Sequence, residues 1–174
     1  AVWKLNPMSG MLAEPRHAAA RALHATSGNE ARKPTERVIP MPTPRSDALV
    51  FFGATGDLAY KKIFPALQAM MLRDGLDLPI IGVAHSGWSV EQLRQRAHDS
   101  LAQAAQEQGG AVDEAAFAKL AARLHYVDGD YNDATTFTQL RGELKDCARP
   151  VHYLAIPPGL FGKVVSHLWD AGLA

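Results

Sequence analysis

The chain has 174 residues, in which 18 Lys and Arg balance 18 Asp and Glu. This balance argues against a general nucleic-acid binder and against a protein held on membranes by charge, and no apolar run approaches the roughly 18 residues of a membrane span. The single cysteine, Cys147, excludes an internal disulfide. Since no Cys/His spacing is typical of zinc either, we expect a cytoplasmic protein without a metal site.

The first 46 residues differ in composition from the rest. They carry seven Lys or Arg against three Glu, and six of the eleven prolines. The segment PMPTP at residues 40–44 cannot continue a helix or a central strand. We predict a disordered extension over residues 1–46 and one domain over residues 47–174. A transit peptide, or a translated extension before a natural start at Met41, are alternatives for the extension.

The domain opens with a buried strand and a glycine-rich turn. Residues 48–52 (ALVFF) form the continuous apolar run of a strand that is covered on both faces. The next residues read GATGDLA: Gly53 permits a sharp turn, Gly56 allows backbone to approach a phosphate, and Ala59 lets helix and strand pack closely. Because a helix N-terminus offers free N–H groups to an anion, we predict that this segment binds the pyrophosphate of a dinucleotide. The alternative is a tight turn that binds nothing.

Asp57 is unusual in this turn, because a carboxylate beside phosphates is electrostatically unfavourable. We expect it to cap the following helix with its carboxylate directed away from the ligand. That helix is predicted to end at Gly75. Its inner face is predicted to comprise Ile63, Leu67, Met70 and Met71.

The end of the second predicted strand, residues 78–84, bears on the choice of cofactor. NAD-selective sites usually place Asp or Glu there to bond the ribose 2′-hydroxyl. This chain has Ala84, His85 and Ser86 instead. A 2′-phosphate would be tolerated, so NADP is favoured and NAD remains possible. His85 is either a ligand of that phosphate or a simple polar loop residue.

Helices and short strands alternate through the rest of the chain. Helix N-caps are predicted at Ser89, Asp113 and Asp133. Two further strands are predicted at residues 125–127 and 151–156, and the last predicted helix carries Phe161, Val164, Val165 and Leu168. This order predicts an α/β fold, a Rossmann-like doubly wound parallel sheet that is incomplete here. Ligands bind at the carboxyl edge of such sheets. The segments expected to converge there are residues 53–62, 84–87, 128–131 and 153–158.

Four segments of residues 48–174 together resemble the glucose-6-phosphate dehydrogenase family: FFGATGDLAYKKIFPAL, IIGVAHS, YVDGDYND and YLAIPP. GDLA followed by basic residues and Phe64-Pro65 is specific to that family, and YLAIPP is a second, independent signature. The resemblance implies an NADP-dependent oxidoreductase of the pentose phosphate pathway. Its full-length, homo-oligomeric form would oxidise glucose 6-phosphate to 6-phosphogluconolactone.

The resemblance also implies residue roles. The family's lysine near the nicotinamide and sugar falls on Lys62, its cofactor-contacting tyrosine on Tyr153, and its adenosine-side loop tyrosine on Tyr131. With the residues argued above, the predicted cofactor site comprises Gly53, Ala54, Thr55, Gly56, Asp57, Leu58, Ala59, Lys62, His85, Ser86, Tyr131 and Tyr153.

Two departures from the family limit these implications. The family usually has arginine or another base where His85 stands, and imidazole is mostly neutral at neutral pH unless a phosphate favours its charged form. We therefore expect a weaker NADP preference, with tighter binding at about pH 6 than at about pH 8. The family's catalytic segments, Glu-Lys-Pro-Phe-Gly and Arg-Ile-Asp-His-Tyr-Leu-Gly-Lys, do not occur in the sequence. We therefore predict no catalytic residue in this chain, and cofactor binding without turnover.

Two other readings are possible. Short-chain dehydrogenases and epimerases also begin with GATG but need a Tyr-x-x-x-Lys pair, and no tyrosine here has a lysine four residues on. The second is a non-catalytic cofactor-binding remnant of a truncated gene. Either way, a sheet without its remaining strands would leave an edge and apolar surface uncovered, which predicts marginal stability or aggregation.

Overall fold

The structure, a computed structural model, describes residues 45–174. The predicted extension over residues 1–46 lies outside this part except for Arg45 and Ser46. The strands are β1 (Ala48–Phe52), β2 (Ile80–Ala84), β3 (Leu124–Asp128) and β4 (Pro150–Leu154). The α-helices are α1 (Phe64–Asp74), α2 (Val90–Glu107), α3 (Glu114–Arg123), α4 (Ala134–Glu143) and α5 (Phe161–Asp170). A π-helical segment, Ala59–Ile63, precedes α1, and a 3₁₀ turn, Pro158–Leu160, precedes α5.

The four strands form one parallel sheet in the order β3-β2-β1-β4. Successive strands first move outward from β1 through β2 to β3, and the chain then returns to the other side of β1. The direction of winding therefore reverses between β1 and β4, which is where doubly wound sheets bind their ligands. This confirms the predicted parallel, doubly wound sheet.

The side chains of β1 alternate between two apolar cores on opposite faces of the sheet. Phe51 points into the core covered by α1, α2 and α3, whereas Val50 and Phe52 point into the core covered by α4 and α5. All three side chains have no exposed surface. Burial of each stabilises the fold by about 1.5–3 kcal/mol, which explains why the strand reads as a continuous apolar run.

The predicted helix ends are largely confirmed. Ser89 forms a full capping box with Gln92 at the start of α2. The carboxylates of Asp113 and Asp133 accept backbone hydrogen bonds at the starts of α3 and α4. Gly75 ends α1 in the left-handed conformation, with φ 62°. These caps are local features, so the sequence locates them well.

Strand ends and some inner faces differ from the prediction. β2 begins at Ile80 rather than at residue 78, and β4 spans Pro150–Leu154 rather than 151–156. Their pairing with β1 covers four residues of β2 and five of β4. The inner position predicted for Met70 is wrong, since its side chain is 38% exposed. Phe161 and Val165 on α5 are also exposed. A helical period identifies an apolar face but not whether another element covers it. No helix within residues 45–174 is long and apolar enough to cross a membrane.

Candidate functional site

The glycine-rich turn leaves β1 in a conformation that only glycine tolerates. Gly53 has φ 84°, and a Cβ atom there would collide with the carbonyl oxygen of Ala155, which follows β4. The N–H of Gly56 donates to Gly53 O at 3.0 Å, and the N–H of Tyr60 donates to Gly56 O at 3.1 Å. Ala59 is fully buried beneath the turn. The predicted roles of Gly53 and Ala59 therefore match the geometry.

Tyr131 ties this turn to the neighbouring strand. Its hydroxyl accepts the N–H of Gly53 at 2.9 Å and donates to the carbonyl of Val83, at the end of β2, at 3.1 Å. Burial raises the pKa of the Tyr131 phenol, and the hydrogen bond from Gly53 only partly opposes this effect. Tyr131 thus lies at the predicted edge and holds the turn as a neutral phenol. Its contact with adenosine stays a prediction.

The segments that follow β1 and β2 also meet through their side chains. The hydroxyls of Thr55 and Ser86 lie 2.7 Å apart. Together with the contacts of Gly53 with Tyr131 and with the segment after β4, this confirms the predicted convergence at the carboxyl edge of the sheet. The turn and the end of β2 form one continuous surface, as a bound dinucleotide requires.

Asp128, at the end of β3, lies at this edge, as expected for the segment 128–131, but the sequence predicted no role for it. Its Oδ1 accepts the N–H of Ser86 at 2.9 Å, the N–H of Gly87 at 2.8 Å and the hydroxyl of Tyr126 at 2.9 Å. Burial would raise the pKa of the Asp128 carboxyl, but these hydrogen bonds outweigh burial and hold the pKa below 3.8. The sequence signal was its place directly after a predicted strand, whereas the register that pairs Asp128 with Ala84 is known only from the structure.

His85 is exposed and lies near acidic rather than basic groups. Its charge contributes to the lowered pKa of both Asp128 and Asp130, after the hydrogen bonds that these carboxylates accept. An acid is therefore present close to the end of β2, although it comes from β3. Because Oδ1 of Asp128 is committed to the backbone of residues 86–87, this acid orders the loop.

The capping role expected of Asp57 is wrong. The helical segment after the turn begins without a side-chain cap, and the Asp57 carboxylate instead lies 3.4 Å from Lys61 Nζ. Both side chains are well exposed, so this i,i+4 pair stabilises the helix only slightly.

Lys62 and Tyr153 meet in a separate pocket of about 300 Å³ between β1, β4 and α1. Its walls are mainly apolar and include Phe51, Leu67 and Met70. Tyr153 lies beside Phe51 in the sheet register and is 50% exposed. Lys62, which the resemblance places near the nicotinamide and sugar, therefore shares one pocket with Tyr153, which it assigns to cofactor contact. This pocket does not include the hydroxyl pair of Thr55 and Ser86.

The family model described as "Glucose-6-phosphate dehydrogenase, NAD binding domain" matches residues 50–174 of the chain. Glucose-6-phosphate 1-dehydrogenase 1 of Mycobacterium tuberculosis is 41% identical over 128 residues, which are 74% of this chain and 26% of that protein. Glucose-6-phosphate 1-dehydrogenase of Ceratitis capitata is 34% identical over 136 residues, 72% of this chain and 24% of that protein. The chain thus spans about a quarter of the length of these relatives.

Solved structures are similar over the same part of the chain. The crystal structure of glucose-6-phosphate 1-dehydrogenase from Mycobacterium avium has a TM-score of 0.67 and 40% identity, covering 74% of this chain and 28% of that one. A glucose-6-phosphate dehydrogenase in complex with its substrate glucose-6-phosphate has a TM-score of 0.61 and 31% identity, with the same coverage.

Proposed function

Because this chain belongs to the glucose-6-phosphate dehydrogenase family, we propose that residues 47–174 bind NADP at the carboxyl edge of the sheet. The observation that carries the proposal is the turn at Gly53, which is bent back under the Ala155 carbonyl and bonded to Tyr131. A turn held in this way presents its backbone to the pyrophosphate without further ordering on binding.

NADP is proposed over NAD because β2 ends in residues that carry no acid of their own. Oδ1 of Asp128 accepts three hydrogen bonds within the protein, so that oxygen does not serve as an acceptor for a ribose hydroxyl. His85 is exposed at the same place and is the basic side chain that this loop offers to a 2′-phosphate.

In the longer enzymes of the family, the bound cofactor accepts a hydride from glucose 6-phosphate. For this chain we propose that Lys62 and Tyr153, in their shared pocket, orient the nicotinamide end of the cofactor and the sugar. We propose that the chain contains no catalytic residue and therefore binds the cofactor without turnover. We also propose that the full-length enzyme is a homo-oligomer and that it is located in the cytoplasm. A cofactor-binding remnant is the second candidate.

Isothermal titration of the full chain with NADP⁺ tests cofactor binding. We expect saturable binding to one site, and its loss in Gly53→Ala, whose new methyl group meets the Ala155 carbonyl. Gly142→Ala is the matched control, because the added methyl group on α4 would point into open space. Circular dichroism verifies that each variant is folded. No binding by the unmodified chain, or equal affinity in both variants, would contradict the proposal.

A second assay separates cofactor binding from catalysis. The chain is mixed with NADP⁺ and glucose 6-phosphate, and NADPH formation is followed by absorbance. We expect no turnover above the uncatalysed rate, because removal of the sugar hydroxyl proton needs a positioned base. Turnover that disappears in Gly53→Ala would overturn the statement that no catalytic residue lies in this chain.

A further inference from the structure

The carboxyl end of β2 lacks a permanent positive charge among its own residues. Residues 84–88 read AHSGW, and the segment facing them supplies the carboxylates of Asp128 and Asp130. A 2′-phosphate bound there would carry about two negative charges, and His85 is the one basic side chain among these five residues. Selective binding of NADP therefore needs a further cation from another element.

Arg96 of α2 is placed between two aromatic side chains that flank this end of the sheet. Its guanidinium carbon lies 4.8 Å from the centroid of the Tyr60 ring and 5.7 Å from that of the Trp88 ring. Tyr60 follows the glycine-rich turn and bonds to the Gly56 carbonyl. Trp88 directly follows Gly87, whose N–H bonds to the carboxylate at the end of β3. The guanidinium thus lies between the pyrophosphate turn and the loop after β2.

The N–H donors of Arg96 are not paired with any carboxylate within residues 45–174. The ion pairs of this part do not include Arg96, and its buried Nε has no hydrogen-bond partner. Arg94, on the same helix, is by contrast occupied by Glu91 and by two backbone carbonyls. Stacking on aromatic rings uses the faces of the guanidinium plane, whereas its N–H groups point outward from the edge. An anion can therefore be bound without loss of the stacking.

We propose that Arg96 binds the 2′-phosphate of NADP and is the main source of the preference for NADP over NAD. The proposal rests on the function proposed above, namely that the turn at Gly53 holds a dinucleotide. Arg96 supplies, from α2, the permanent positive charge that the loop after β2 lacks. The same guanidinium would not contact NAD, which carries a hydroxyl at that position. Its removal therefore affects the two cofactors differently.

The test compares ligands with and without the 2′-phosphate. Dissociation constants for NADP⁺, NAD⁺, 2′,5′-ADP and 5′-AMP are measured by calorimetry with the full chain and with Arg96→Gln. We expect Arg96→Gln to weaken NADP⁺ and 2′,5′-ADP by about 10- to 100-fold, the size of one lost charge-assisted contact, and NAD⁺ and 5′-AMP by less than about twofold. Lys119→Gln removes an exposed positive charge from α3 and should leave all four constants within about twofold.

A second variant keeps the proposal testable if Arg96→Gln does not fold. Arg96→Lys retains the charge and most of the stem but loses the planar fork, so we expect NADP⁺ to weaken by about three- to tenfold and NAD⁺ to be unchanged. Equal weakening of both cofactors, or none, would overturn the role of Arg96. Equal affinity of the unmodified chain for both cofactors would also overturn it and leave dinucleotide binding intact. Absence of binding by either cofactor would instead overturn the proposed function itself.

Discussion

Single hydrogen bonds to the backbone set the geometry of the cofactor edge. The Tyr131 hydroxyl connects Gly53 N with Val83 O, and Asp128 orders the loop after β2. Neither residue has to touch a ligand to matter. Tyr131 adds to the direct bonds of Gly53 N and Ala54 N to Val83 O, and Asp128 holds the backbone of residues 86–87. Loss of the Tyr131 contacts would alter the geometry of the turn, and loss of the Asp128 contacts would alter that of the loop. The apolar core would be affected less.

His152 on β4 provides a pH-dependent contribution to stability. Burial lowers the pKa of its imidazole below 6.5, and the hydrogen bond of Nε2 to Leu173 O, at 2.8 Å, only partly opposes this. The unfolded chain therefore binds the proton more readily than the folded one. The stabilisation is present above about pH 6.5 and is lost as the pH falls through the lower, folded pKa. We expect the free energy of unfolding in urea to decrease from about pH 7 to about pH 5.

His152→Gln should reduce this slope, whereas Ser166→Ala, which removes no titratable group from an exposed position on α5, should not. The aspartates with lowered pKa lose their contribution at more acidic pH, below about pH 4, and so lie outside the measured range. An unchanged slope in His152→Gln would show that its burial does not set the pH dependence.

At the scale of elements, the junction between the turn and α1 depends on α2. In the π-helical segment the N–H of Phe64 bonds to Ala59 O, and the next bond in this pattern would join Pro65 to Tyr60 O. Proline has no N–H, so the Tyr60 carbonyl lacks an intrahelical donor. Ser100 of α2 supplies it through its hydroxyl and is 2% exposed.

Ser100→Ala should therefore leave the Tyr60 carbonyl without this donor. We expect a loss of about 1–3 kcal/mol in the free energy of unfolding, measured by urea denaturation. Ser166→Ala on α5 is the control, because that side chain is exposed, and it should change stability by less than about 0.5 kcal/mol. Equal effects of the two substitutions would contradict the role assigned to Ser100.

At the scale of the whole molecule, the sheet has an exposed edge at β4. Within residues 45–174, β4 pairs only with β1, and Val151 and Tyr153 are 45% and 50% exposed. Trp169 on α5 is 73% exposed. An unpaired strand edge with apolar side chains is a template for association. The earlier expectation of aggregation or marginal stability stays a prediction with this physical basis.

Val151→Lys should reduce self-association, because a charge at an edge strand disfavours pairing with another chain. Light scattering at increasing protein concentration measures the effect. Ala118→Lys adds the same charge at an exposed position on α3, away from any strand, and controls for the change in net charge. If both substitutions lowered the scattering equally, general charge repulsion and not the edge of β4 would explain it.

The sequence was sufficient for features that depend on neighbours along the chain. The apolar run of β1, the glycine at the turn and the caps at Ser89, Asp113 and Asp133 are short-range, and each has a residue type that its local geometry demands. The parallel order followed from the alternation of strand and helix, because crossovers of that length favour parallel pairing. Thus the α/β fold and the place of the glycine-rich turn could be predicted from the sequence.

Contacts between distant segments required the folded chain. Tyr131 bonds to a residue 78 positions away, and Asp128 to one 42 positions away. These contacts depend on which strands are neighbours, on the register between β2 and β3, and on the directions in which packing turns the side chains. The stacking of Arg96 on Tyr60 and Trp88 depends on the same factors. Local preference determines where helices and turns begin, but only packing in three dimensions determines which side chains meet at the cofactor edge.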